Sequence, residues 1–226
     1  MKNALKISAL YAHLEHSLAH PYFARLTYPW ELLSAIPDII REIGKGLSEE
    51  EYHRVGEDVW IARSARISPT ASITGPCIIG PDTEVRHCAF IRGAALIGAG
   101  AVVGNSTELK NCILFDGVQV PHYNYVGDSV LGYKSHLGAG AITSNVKSDK
   151  TEVVIRIGEE RILTERRKLG AMLGDFVEVG CGCVLNPGTV IGSNTNIYPL
   201  SSVRGYVPGN SILKSQDRIV KKQKNT

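Results

Sequence analysis

The chain has 226 residues, with 25 Lys and Arg against 22 Asp and Glu, for a formal net charge of +3. That length accommodates one large domain with a small appendage, and the charge is too small to argue for a nucleic-acid partner. No apolar run approaches the length of a membrane span, so no membrane partner is expected and the chain is read as cytoplasmic.

Residues 1–52 read as a helical cap and linker. Lys2 and Lys6 before Ile7–Ala12 resemble the start of a leader peptide, but His13, Glu15 and His16 follow too soon, and the apolar positions suit an amphipathic helix over 4–18. Pro29-Trp30-Glu31-Leu32-Leu33 opens a second helix predicted to run to about Leu47, with Pro37 able to break or restart it. A cap over the first coil of a repeat would protect a row of unpaired edge groups.

Residues 53–212 carry a six-residue period. Aliphatic or aromatic residues fall at Ile61, Ile67, Ile73, Ile79, Val85, Ile91, Ile97, Val103, Leu109 and Phe115. Neither a helix nor an ordinary strand has this period; hexapeptides that each form one side of a triangular parallel β-helix do. After a change of phase the ladder continues through Val120 and Val126, takes a five-residue step to Leu131, and reaches Leu137. It runs again from Leu173 through Val179, Leu185, Ile191 and Ile197 to Val203. Residues 146–172 interrupt it. Two β-prone segments around Gly158-Glu159 predict a hairpin projecting from the stack, and an insertion of this length is usually functional. Residues 213–226, with Lys214, Arg218, Lys221, Lys222 and Lys224, read as a solvated basic tail.

The five cysteines (Cys77, Cys88, Cys112, Cys181 and Cys183) are odd in number and lack paired C-x-x-C spacing. Buried thiols are expected rather than disulfides or zinc. A metal of the γ-type carbonic anhydrase kind needs three converging imidazoles. His87 and His122 are suitably separated, but Gly127 stands where the next ligand belongs and His136 is in the wrong phase. No structural metal is expected.

Four ordered blocks carry a more specific signal: Gly104-Asn105-Ser106-Thr107-Glu108-Leu109-Lys110, His122-Tyr123-Asn124-Tyr125-Val126-Gly127-Asp128, Leu137-Gly138-Ala139-Gly140-Ala141-Ile142-Thr143-Ser144-Asn145, and Arg166-Arg167-Lys168-Leu169-Gly170-Ala171-Met172-Leu173-Gly174-Asp175. Through them the stretch from about Ala89 to Val207 resembles the acetyltransferase domain of bifunctional glucosamine-1-phosphate acetyltransferase / N-acetylglucosamine-1-phosphate uridyltransferase. It resembles the archaeal-type sugar-1-phosphate nucleotidylyltransferase/acetyltransferases more closely still.

The resemblance implies an all-β, left-handed parallel β-helix that works as a homotrimer, with active sites between neighbouring subunits, the 146–172 hairpin reaching across, and acetyl-CoA as co-substrate. It implies His122 as general base, in a stretch that breaks the repeat phase, and Asn145 as an amide orienting substrate and acyl group. It matches Arg92 and Lys110 to contacts with a sugar phosphate, a role that suits a guanidinium and an ammonium, and Tyr125 to a residue holding the sugar. Lys150 lies one residue out of register with a family lysine, and His136 stands where the bacterial enzymes carry an asparagine. Backbone at Ala139 and Cys181 would line the coenzyme A groove.

The expected activity is N-acetylation of an amino-sugar phosphate resembling glucosamine 1-phosphate. The first fifty residues hold no Gly-rich nucleotide loop, so no nucleotidyl transfer is expected, and a separate nucleotidyltransferase chain is a candidate partner. The alternative is a non-catalytic β-helix that binds sugar nucleotides or serves assembly.

Overall fold

The computed structural model describes residues 1–215 and 218–223. Its body is a stack of triangular coils in which each short strand pairs in parallel with the strand one coil away. Cys77-Ile78-Ile79 pairs with Ala95-Leu96-Ile97, which pairs with Cys112-Ile113-Leu114. The same row continues through Ser129-Val130-Leu131 and Met172-Leu173 to Val190-Ile191. Because strand side chains alternate, a small residue and a large aliphatic point inward while the middle one points out. Ile79, Val85, Ile91, Ile97, Val103 and Leu109 are fully buried rungs; Ile67 and Ile73, near the first coil, are partly exposed.

One rung differs from the sequence reading. Leu114, not Phe115, stands in register with Ile97 and Leu131. Seventeen residues separate Ile97 from Leu114 and Leu114 from Leu131, against eighteen between Ile79 and Ile97. The five-residue steps therefore run from Leu109 to Leu114 and from Val126 to Leu131. The phase breaks fall at the corners containing Lys110-Asn111 and Gly127-Asp128, on either side of His122 in sequence rather than at it.

The corners turn through residues in the left-handed region. One column comprises Cys88, Ser106, Tyr123, Gly140, Gly182 and Leu200. Successive corners are joined by backbone bonds, from Tyr123 N to Asn105 O, Gly140 N to His122 O, Gly182 N to Ala139 O and Leu200 N to Cys181 O. A tyrosine at φ 51° and a leucine at φ 59° show that the stack, not local preference, dictates these turns.

The N-terminal segment is a strap along one flank, not a cap over the first coil. The helix expected over 4–18 is broken into short turns, Lys2–Leu5, Ile7–Leu10 and Leu14–His16. The second helix divides into Pro29–Ser34 and Ile36–Lys45, with Pro37 in the first turn of the latter. Leu10 O accepts bonds from Asp175 N (3.1 Å) and Ser193 Oγ (2.7 Å), and His16 O accepts one from Asp116 N (2.9 Å). The helix Ile36–Lys45 lies against the strands Cys77–Ile79, Ala95–Ile97 and Glu108–Leu114.

The outward row Ile78, Leu96, Ile113, Val130, Met172 and Val190 explains this course, since all six are buried. Left in water, each would forgo about 1.5–3 kcal/mol of hydrophobic stabilisation. Phe115 belongs to the same layer, with ring centroids 5.1 Å from Tyr11 and 5.8 Å from Phe23.

The insertion forms the expected antiparallel hairpin, Val154–Ile157 with Glu160–Leu163. It does not project: Val153, Ile155 and Ile157 are buried, and a Cβ on Gly188 would meet Val153 and Ile155. Arg166, just beyond it, donates to Glu31 O and Ser34 Oγ on the strap. The basic C-terminal segment is likewise not a free tail as far as Lys221. Ser211–Ser215 extends the stack in parallel with Asn196–Ile197, and Arg218–Lys221 folds back on it as an antiparallel strand. Lys224 lies outside the described residues. Among those described, no helix is long and apolar enough to cross a membrane.

Candidate active site

Two corner columns border the side that contains the strand segment Tyr125-Val126-Gly127. On the first, the short coils bring together Arg92, Lys110 and Asp128. Arg92 N donates to Leu109 O, which places Arg92 one coil from Lys110, and Lys110 is in register with Gly127. The Arg92 guanidinium donates to Glu108 Oε1 at 2.6 Å, and Glu108 stands opposite Tyr125. A Cβ on Gly127 would lie 2.4 Å from the Tyr125 hydroxyl, so the missing side chain leaves room for that ring.

Asp128 is the hub of this corner. Its carboxylate, 5 % exposed, accepts from Asn111 Nδ2 at 2.7 Å and from Asn145 Nδ2 at 2.5 Å, with Lys110 Nζ 4.0 Å away. Asn145 Nδ2 also lies 3.2 Å from the Tyr125 hydroxyl. Burial, with help from Asp128 and Glu108, pushes the Tyr125 phenol above its usual range and keeps it a neutral donor. The inserted hairpin leaves and returns here: Leu169 N donates to Asn145 O and Gly170 N to Asp128 O. Burial holds the Arg166 guanidinium below its ordinary pKa, while Asp128 and Glu31 act in the other direction.

On the second column, His122 follows Asn105 and precedes Ala139 and Cys181. The His122 imidazole is exposed and makes no hydrogen bond among the described residues. Its backbone is well anchored. His122 N donates to Asn124 Oδ1 at 3.1 Å, and the buried Asn124 amide donates onward to Gly138 O and Ala141 O. A Cβ on Gly138 would come within 2.7 Å of Cys181 N, so adjacent coils touch backbone to backbone beside the exposed Ala139 and Cys181. Three residues separate His122 from Tyr125, so their Cα atoms are at most about 11 Å apart.

Four residues singled out from sequence thus meet at one corner (Arg92, Lys110, Tyr125 and Asn145), and three line the other (His122, Ala139 and Cys181). Two lie apart. His136 is in register with Gln119, at the far end of the strand Gln119–His122, and its Nδ1 lies 2.8 Å from Glu178 Oε2. Lys150 sits exposed in the turn after Lys147, with φ 56°. Asp128, Asn111, Asn124 and Arg166 are functional-site residues not singled out from sequence. Asp128, Asn124 and Arg166 stood inside the quoted blocks, and the short coils were the available signal for Asn111 and Asp128.

The family described as GMPPB C-terminal domain matches residues 73–179, a little less than half of the chain, and this stretch includes Arg92, Lys110, His122, Tyr125, Asp128, Ala139 and Asn145 but not Cys181. A bifunctional sugar-1-phosphate nucleotidylyltransferase/acetyltransferase of Sulfurisphaera tokodaii is 39% identical over 87 residues, which is 38% of this chain and 22% of that protein. The bifunctional protein GlmU of Methanococcus maripaludis is 33% identical over 108 residues, 48% of this chain and 26% of that protein. The chain resembles these acetyltransferases. It spans about a quarter of the length of these curated relatives. Among solved structures, the acetyltransferase domain of PglB from Neisseria gonorrhoeae in complex with acetyl coenzyme A is 15% identical, covering 85% of this chain and 76% of that one, with a TM-score of 0.34.

Proposed function

We propose that this chain is an acetyl-CoA-dependent N-acetyltransferase for an amino-sugar phosphate or related nucleotide-linked amino sugar, with His122 as general base. The observation that carries the reading is an exposed imidazole without a hydrogen-bond partner among the described residues, three residues from Tyr125 in a polar corner that holds two cations. Imidazole is the commonest general base in such proton transfers. It would take a proton from the acceptor ammonium, and the amine would attack the thioester carbonyl. The tetrahedral intermediate would then give the remaining excess proton on its nitrogen to solvent and collapse with loss of the coenzyme A thiolate, which takes up the proton held by the imidazole. Arg92 and Lys110 would hold the phosphate, while Tyr125 and Asn145 would hold the sugar and orient the acyl group.

The exposed backbone beside Ala139 and Cys181 suits a pantetheine arm laid along the coils. A homotrimer would bring a neighbour's surface to each such corner, and light scattering reads that directly. His136 and Lys150 could join the site only from a neighbouring subunit or after a loop movement. A separate nucleotidyltransferase chain remains a proposed partner.

The test is thiol release from acetyl-CoA with glucosamine 1-phosphate and a panel of amino sugars. Wild type should release thiol, and His122→Ala should lose about 10²–10⁴ in turnover with its melting temperature unchanged. No thiol release with any amino sugar would sink the enzyme reading in favour of a non-catalytic β-helix.

A further inference from the structure

The strap carries a cluster that the proposed acyl transfer does not use. In the turn Leu14–His16 and the residue before it, donor atoms of His13, Glu15 and His16 lie within 4.8 Å of one another. Glu15 Oε1 is 3.6 Å from His13 Nδ1 and 4.0 Å from His16 Nε2. Behind this trio, Asp116 Oδ2 lies 3.0 Å from His16 Nδ1. A carboxylate there accepts a hydrogen bond from Nδ1–H and leaves the Nε2 lone pair facing Glu15, the arrangement by which proteins orient a metal-binding imidazole.

Both rings are held by aromatic contacts. His16 stacks on Tyr133 at 4.0 Å with an interplanar angle of 11°, and His13 packs edge-on to Phe176 at 5.4 Å. The backbone is fixed as well, with His13 N donating to Asp175 Oδ2 at 3.0 Å and His16 O accepting from Asp116 N.

We infer that His13, Glu15 and His16 bind one divalent transition-metal ion of the zinc type on the N-terminal strap, with Asp116 of the coils orienting His16 from behind. Two imidazole nitrogens and a carboxylate oxygen suit zinc and leave a fourth position for water. Tetrahedral ligands at about 2.0–2.2 Å from zinc stand closer together than these donors, so binding draws Glu15 inward, and its exposed side chain is free to move. In the sequence, His13, Glu15 and His16 argue only against a leader peptide, because spacing alone shows neither the stacking nor Asp116.

The experiment uses the full untagged chain, stripped with a chelator and titrated with zinc by calorimetry and with cobalt by absorption spectroscopy. One equivalent should bind saturably, the cobalt spectrum should show no thiolate charge-transfer band, and the melting temperature should rise with zinc. Glu15→Gln should keep the metal-free melting temperature and lose the zinc-dependent rise, and Asp116→Asn should bind about 10–100-fold more weakly. The inference fails if wild type shows no saturable binding. It fails equally if the Glu15→Gln/His16→Gln double variant binds as wild type does, or if a thiolate band assigns the metal to Cys88 or Cys181.

Discussion

The Asp128 carboxylate and the Asn145 amide join the coil that carries Tyr125 to the base of the inserted hairpin, at 2.5 Å. Hydrogen bonds to ionised groups are among the strong ones, and a buried carboxylate that loses a donor is costly. Asn145→Ala is expected to lower the unfolding free energy by about 1–3 kcal/mol, measured by urea denaturation, and to reduce catalytic efficiency as well. If stability is unchanged, this bond does not hold the corner together.

Arg92 and Lys110 should act through binding. Arg92 is exposed and its carboxylate partner is Glu108, so Arg92→Ala should leave the melting temperature in place. It should raise KM about ten-fold for a phosphorylated acceptor, and much less for the same sugar without phosphate. Steady-state kinetics with the paired substrates checks this; equal effects on both would remove the phosphate role.

Phe115 tests the strap. As an internal rung it would contact only the coil interior, whereas here it packs on Tyr11 and Phe23. Phe115→Ala is expected to cost about 3–5 kcal/mol and to make the first 45 residues sensitive to limited proteolysis before the coils unfold. Protection of that segment identical to wild type would contradict the packing.

The thiols divide by burial. Burial pushes Cys77 up to about 12, and it raises Cys112 and Cys183 as well. Cys88 and Cys181 are exposed, contrary to the expectation that all five are buried. A disulfide reagent at neutral pH should modify Cys88 and Cys181 in the native chain and reach the other three only in denaturant. Rapid native reaction of Cys77 would show that the coil interior opens.

The ladder was legible because its rungs recur six residues apart and need no partner beyond the chain's own next turn. Phe115 was misplaced because Leu114 and Phe115 are adjacent and both apolar, so the period alone cannot say which one enters the coil. The strap was hidden for a related reason. Ile78, Leu96, Ile113 and Val130 recur once per coil, an interval that becomes meaningful only once coil length is known. The matched blocks drew attention to His122, Arg92, Lys110, Tyr125 and Asn145. They did not reveal Asn111, which answers Asp128 from 17 residues away.

Sequence by itself determined the coil, the corner residues and the hairpin, because each depends on neighbours at short, regular spacing. Tertiary structure decided which side of the coil the N-terminal segment covers, where the hairpin lies, and that a buried aspartate anchors the polar corner. Those outcomes depend on burying surfaces from segments far apart in the chain. The gain comes from contacts that form only when the coils have stacked and the strap has closed over them.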